Sequence, residues 1–213
     1  MSGQLANIRA IMALAERAAA TDQSLESLAQ ETQRLAQAAI ERGCAFKLRP
    51  SMIMKLHRAA LQGVGDSAGR YRSRQVSICN SKHIPPEAHL VPELVEDLCD
   101  YINSSWADAT AIHLAAYVMW RIGAVHPFGD ANGRISRAAA ALVLMVKRPS
   151  PEMVIGSTDG PAIPLQISDD QQPGYYAALA AADAAALEGK VDVSRMETWL
   201  EKALRPSPEM VIG

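Results

Sequence analysis

The sequence is poor in the residues that would build a metal centre, a disulfide scaffold or a membrane span. It has only three cysteines, Cys44, Cys79 and Cys99, with no CxxC pairing among them. Their odd number and irregular spacing exclude a disulfide framework and a structural zinc site, and predict free thiols in a reducing compartment. No uncharged apolar run reaches the roughly 18 residues that a membrane span needs. The longest apolar stretch, Ala138 to Val146, reads as a buried helix. No basic stretch followed by an apolar one opens the chain, so no signal peptide is expected. Charge of one sign is also missing: the formal net charge is −2, and the cluster Arg70 to Arg74 is too short for a phosphate-backbone footprint. These absences predict no membrane and no nucleic-acid partner, and a cytoplasmic location.

What remains is a chain of 213 residues, 49% hydrophobic and 21% charged, enough for one buried core. Its periodicity is helical almost throughout, which predicts an all-α fold. Helices are expected over Leu5 to Ala20, after a Thr21-Asp22 cap through Leu25, Leu28 and Leu35, and from Pro50 toward Gly63. Further helices are expected over Val91 to Ile102, Ala107 to Gly123, from Arg134 onward, and over Gly174 to Leu187. Ser194 to Glu197 has the form of a capping box opening the last helix. Between Gly63 and Ile78 the character changes, and Gly69 to Ile78 reads as part of a short β-hairpin. Residues 149–173, rich in Pro, Gly and Asp, read as an irregular loop. The segment RPSPEMVIG occurs twice, at 148–156 and 205–213, and nothing in its composition explains the repetition.

The chemistry concentrates in HPFGDANGRISR, His126 to Arg137, set between two helical segments. Asn132-Gly133 precedes a helix, where successive N–H groups at the positive end of the dipole can form a nest for phosphate oxygens. Arg134 and Arg137 share a helix face near that end, and guanidinium groups fork onto phosphate. Asp130 is a hard oxygen ligand suited to Mg²⁺. His126 titrates near neutrality and can accept a proton from a hydroxyl. Phe128 reads as a buried pin. Together these are a base, a metal ligand, a phosphate cradle and a charge clamp, the parts that phosphoryl-linked transfer requires. Of the other histidines, His57 reads as exposed, His113 as a satisfied boundary residue, and His83 and His89 have no evident partner. Tyr175 and Tyr176 read as core, or as walls of a base pocket.

His126-Pro127-Phe128-Gly129-Asp130-Ala131-Asn132-Gly133-Arg134-Ile135-Ser136-Arg137 resembles the Fic signature, H-x-F-x-[DE]-[GA]-N-G-R-x-x-R, at every fixed position. Gly69-Arg70-Tyr71-Arg72, Val76, Ile78 and Pro85-Pro86 resemble the Fic flap region, and the likeness runs over about Arg49 to Ala203. It divides the chain into N-terminal helices, 1–48, with a possible regulatory role, a Fic domain, 49–204, and a tail, 205–213. The resemblance implies a helical bundle with a β-hairpin flap, and transfer of AMP from ATP to a target hydroxyl with release of pyrophosphate. It implies His126 as base and Asp130 as the Mg²⁺ ligand. Asn132 and Gly133 would cradle the α- and β-phosphates, within a loop that includes Gly129 and Ala131. Arg134 and Arg137 would hold the outer phosphates. Arg72, Ser73, Arg74, Gln75, Val76, Ser77 and Ile78 would form the flap that takes a target protein edgewise. Many Fic proteins carry an inhibitory helix, [ST]-x-x-x-E-[GN]. Ser27 and Glu31 match it in part, Glu188-Gly189 more weakly, and a small antitoxin could supply the glutamate instead. Self-association is common in the family. UMP or phosphocholine transfer, removal of AMP, and a non-catalytic toxin-complex subunit remain alternatives.

Overall fold

The computed structural model describes residues 23–42, 46–61, 66–78, 81, 83–147, 167 and 169–204. The expected helix over Leu5 to Ala20, the Thr21-Asp22 cap and both copies of RPSPEMVIG lie outside them. Among the described residues the chain is helical: α1 (residues 23–41), α2 (Pro50–Ala60), α3 (Val91–Ser104), α4 (Ala111–Val125), α5 (Asn132–Lys147), α6 (Gln172–Leu187) and α7 (Ser194–Ala203). A short 3₁₀ turn, Ala88–Leu90, leads into α3. None of these helices is long and apolar enough to cross a membrane.

The antiparallel pair α4 and α5 forms the centre. Both are apolar nearly all round, the pattern of a helix buried on every side. Leu114 to Trp120 and Ile135 to Leu144 are buried without a break. Ala138 to Ala141 present only methyl groups, which lets the neighbouring helices approach closely. Of the helices that cover this pair, α2, α3 and α7 are amphipathic. α2 packs on α5; α3 and α7 pack on α4; α6 packs on α7. α1 joins the same core through Leu28, Leu35 and Ala36. Cys99 is a free, buried thiol.

Local chemistry sets the boundaries. Pro50, Pro92 and Pro173 stand in the first turns of α2, α3 and α6, where a missing N–H costs nothing. α4 begins at Ala111 rather than Ala107, because the Thr110 side chain caps it by accepting from the His113 N–H at 3.0 Å. The expected capping box of α7 does not form. Ser194 is already helical, its N–H goes to Asp192 at 3.0 Å, and Glu197 turns away to His113 Nδ1 at 2.7 Å. His113 is thus a satisfied boundary histidine, with Tyr101 on its other nitrogen at 2.8 Å.

In place of the expected β-hairpin, residues 70–78 form no β-ladder among the described residues and run as an irregular segment with a bend at Ser73 and Arg74. Its polar groups bond to the α4 end and to the chain after the flap instead of to a second strand. The Arg72 N–H donates to Pro127 O at 2.9 Å, and the Gln75 amide to Pro85 O at 2.7 Å.

Candidate active site

The α4–α5 connection is the only stretch between the two central helices, so its residues sit at one end of the core. Two residues in it adopt the left-handed region: His126, φ 50°, and Ala131, φ 62°. That conformation costs a non-glycine residue about 1–2 kcal/mol, so the surroundings must hold it. His126 ends α4 with its N–H on Ile122 O at 2.9 Å. Phe128, fully buried, pins the middle of the loop. Ala131 closes the loop by accepting the Ile135 N–H at 2.9 Å, the first bond of α5. The left-handed backbone at 131 is the physical reason a small residue stands there.

The half-buried His126 ring bonds through Nδ1 to Gly123 O at 3.3 Å. A carbonyl only accepts, so Nδ1 carries the proton and Nε2 keeps its lone pair. Burial lowers the proton affinity of His126 below its ordinary value, and the nearby charges of Arg72 and His83 act in the same direction, against Gly123 O and Asp130. The ring is therefore a neutral base at physiological pH.

Asp130 is exposed, with one oxygen on the Ala131 N–H at 2.5 Å. No group of three His, Cys, Asp or Glu among the described residues could hold a metal by itself. A single open carboxylate fits Mg²⁺, which is commonly held by one or two carboxylates together with substrate phosphates.

Behind it, the start of α5 concentrates positive charge. Arg137 is buried, and its guanidinium lies so close to Gly133 that a Cβ there would stand 3.3 Å from Nη1. Burial lowers its pKa, the Tyr175 hydroxyl hydrogen-bonds it, and Arg134 adds a second positive charge nearby. Arg134 Nη1 donates to Ser24 Oγ of α1 at 2.7 Å. Ser24 in turn bonds Ala60 O. Two guanidinium groups beside the first-turn N–H groups of a helix could take an anion.

The arrangement differs from the sequence expectation at several positions. Asn132 turns its side chain away from the anion site: Oδ1 accepts the Phe128 N–H and Nδ2 donates to Phe128 O, both at 2.9 Å. Its side chain shapes the loop, which leaves its backbone for an anion. Glu31 pairs through both oxygens with Arg34 of its own helix, at 2.6 and 2.7 Å, and not with the signature arginines. Glu188 pairs with Lys190 at the surface. Ser27 is half-buried, and it is Ser24, one helical turn earlier, that reaches the site. In the flap, Ser73, Arg74, Gln75 and Ser77 are exposed and Val76 and Ile78 half-buried, but Arg72 is buried. Tyr175 is buried; Tyr176 is exposed.

His57 is buried, not exposed, and stacks on Phe128 with centroids 3.8 Å apart and planes 6° apart. Its Nδ1 accepts the Gly69 N–H at 2.9 Å. The signal lay in the helical period: Ile53, Leu56, His57 and Ala60 form one stripe of α2. His83 also has partners. Its Nε2 meets Ala124 O at 2.8 Å and its Nδ1 the Asp183 carboxylate at 3.1 Å, which Trp120 Nε1 also binds at 2.8 Å. No sequence pattern pairs His83 with Asp183, because α6 brings them together from far apart in the chain.

Among the described residues the fold is helical, with a neutral histidine on the loop between α4 and α5 and two arginines at the start of α5. Residues 47–144 match the Fic/DOC family. Among curated proteins it is similar to the protein adenylyltransferase fic-1 of Caenorhabditis elegans, 34% identical over 95 residues. That alignment covers 44% of this chain and 18% of the relative, so the chain spans only a small part of the relatives it matches. In fold it is similar to a Fic domain containing signaling protein from Bacteroides thetaiotaomicron: TM-score 0.65, 20% identity, 90% of this chain and 74% of the other. It is also similar to IbpAFic2 in a complex with adenylylated Cdc42: TM-score 0.56, 15% identity, 87% of this chain and 62% of the other.

Proposed function

We propose that this chain is a protein adenylyltransferase that moves AMP from ATP to a hydroxyl side chain of a target protein. The observation that carries the reading is the His126 ring, whose Nδ1 contact with Gly123 O leaves Nε2 with its lone pair free to act as a base. The names of the curated relatives, and the adenylylated Cdc42 in the IbpAFic2 complex, support the same chemistry.

In this reading the target hydroxyl gives its proton to His126 Nε2 as its oxygen attacks the α-phosphorus. The bond from that phosphorus to the bridging oxygen breaks in line, and pyrophosphate leaves with the bonding pair. The backbone of Asn132 and Gly133 cradles the phosphates. Arg134 and Arg137 take up the charge of the outer phosphates, and little covalent work falls to the protein. Mg²⁺, held by Asp130 together with the phosphates, would neutralise charge on the leaving group. Gly129 and Ala131 belong to the same loop, and Ala131 O accepts the first bond of α5. The flap residues Ser73 to Ile78, exposed except for the half-buried Val76 and Ile78, offer an edge for an extended target segment. A second copy of the chain or a small antitoxin is a further partner of this reading, and the cytoplasm or a host cell its compartment.

The test is incubation with Mg²⁺ and α-³²P-ATP, followed by gel analysis of self-labelling and of candidate targets beside His126→Ala. Label in the wild type that disappears in His126→Ala supports the reading. ATP binding without label, while UTP or CDP-choline gives label, moves the reading to another donor. Failure to bind any nucleotide would sink it.

A further inference from the structure

Four consecutive carbonyls at the end of α4 and in the turn after it, those of Ala124, Val125, His126 and Pro127, all accept from the flap segment. His83 Nε2 meets Ala124 O at 2.8 Å. Arg72 supplies the other three: Nη2 to Val125 O at 3.3 Å, Nε to His126 O at 2.8 Å, and its N–H to Pro127 O at 2.9 Å. The same guanidinium also holds the flap's own backbone, Arg74 O at 3.1 Å and Pro86 O at 2.5 Å.

A helix C-terminus leaves its last carbonyls without intrahelical partners and carries partial negative charge. A cation is favoured there. Arg72 is only 7% exposed, and a buried charge is costly unless it is richly hydrogen-bonded. Here the planar fork meets four carbonyls at once, which a lysine ammonium could not reproduce in that geometry. The residue whose carbonyl takes the Nε bond is His126, which is held in the left-handed region.

We propose that Arg72 is the positioning residue of His126, a single side chain that fastens the flap to the left-handed corner aiming the base. Engagement of the flap by a target is then felt at His126 through a rigid guanidinium rather than through a flexible loop. Arg72 belongs to the loop-forming machinery, and not to the target-facing edge that its place in the sequence suggests. The kinetic consequence rests on the reading of His126 as base; the structural consequence does not.

The experiment compares the full chain with Arg72→Met, Arg72→Lys and, as a control on the exposed side of α7, Arg195→Met. Three quantities are read: the His126 tautomer from side-chain NMR shifts, and kcat and KM for labelling. In the wild type His126 is a single Nδ1–H tautomer. In Arg72→Met it becomes a mixture, and kcat falls about tenfold to a hundredfold while KM for ATP changes little. Arg72→Lys, which keeps the charge and loses the fork, falls between the two. A folded Arg72→Met with the wild-type tautomer and wild-type kcat overturns the proposal. Should Arg72→Met not fold, Arg72→Lys decides: wild-type tautomer and kcat overturn it, a mixed tautomer with reduced kcat upholds it. Should the wild type transfer no label, the tautomer alone decides, so failure of the functional reading and failure of this one remain separate.

Discussion

Asn132 returns both hydrogen bonds of its side-chain amide to one residue, Phe128, at 2.9 Å each. The amide mimics a paired strand inside a loop too short to contain one, and it fixes the Phe128 backbone while the ring enters the core. Asn132→Ala leaves a buried N–H and a buried C=O without partners. The expected loss is about 2–4 kcal/mol of stability, read by urea denaturation, together with loss of labelling. Asn132→Asp keeps one acceptor and is expected to be intermediate in stability.

His57 makes the fold acid-sensitive. Burial lowers its pKa from 6.5 to about 4. Below pH 6.5 the unfolded chain takes up a proton that the folded chain refuses until about pH 4. Stability is therefore full above pH 6.5 and is lost as pH falls toward 4, by up to about 3 kcal/mol. Denaturation midpoints across this range check it. His57→Gln is expected to be less stable at neutral pH, because the stack on Phe128 is gone, and to show a flatter acid slope.

With His126 as the proposed base, the acid limb of catalysis is expected to follow its titration. Its pKa is lowered, chiefly by burial, so the neutral base persists below the ordinary histidine value. The pH profile of kcat/KM is expected to fall on the acid side with a midpoint below 6.5. A midpoint above that value would contradict the neutral, buried ring.

Two glycines of the signature differ in what they tolerate. A Cβ at Gly129 meets nothing within 4 Å, whereas one at Gly133 stands 3.3 Å from Arg137 Nη1. Gly129→Ala is expected to change stability by about 0.5 kcal/mol at most. Gly133→Ala displaces the guanidinium and is expected to weaken ATP binding severalfold, measured by calorimetry. Equal effects of the two would argue against Arg137 as a phosphate ligand.

Because Glu31 is held by Arg34, Glu31→Gly is expected to leave labelling near the wild-type level. A strong rise in label would restore Glu31 as the inhibitory residue and require α1 to shift.

Much of the fold was legible because its causes are local. Helical periodicity, prolines at first turns and the apolar run of α5 each act over one or two turns of chain, and they fix the helices to within a few residues. The His126 to Arg137 loop was legible too, since base, carboxylate, glycines and arginines are contiguous. The hairpin was not, because a strand needs a partner and extended propensity alone does not choose one. Here Arg72 bonds to the end of α4 and to Pro86, and Gln75 to Pro85.

The sequence by itself determined a helical domain and the chemical inventory of one loop. Only tertiary structure decided which members of that inventory face the anion site. The Asn132 side chain turns inward because Phe128 offers both a donor and an acceptor within reach. His57 is buried because Phe128 covers it, and Arg72 serves α4 because the helix end is short of donors. Buried polar groups must find partners, and those partners are supplied by whichever segments the packed core brings near.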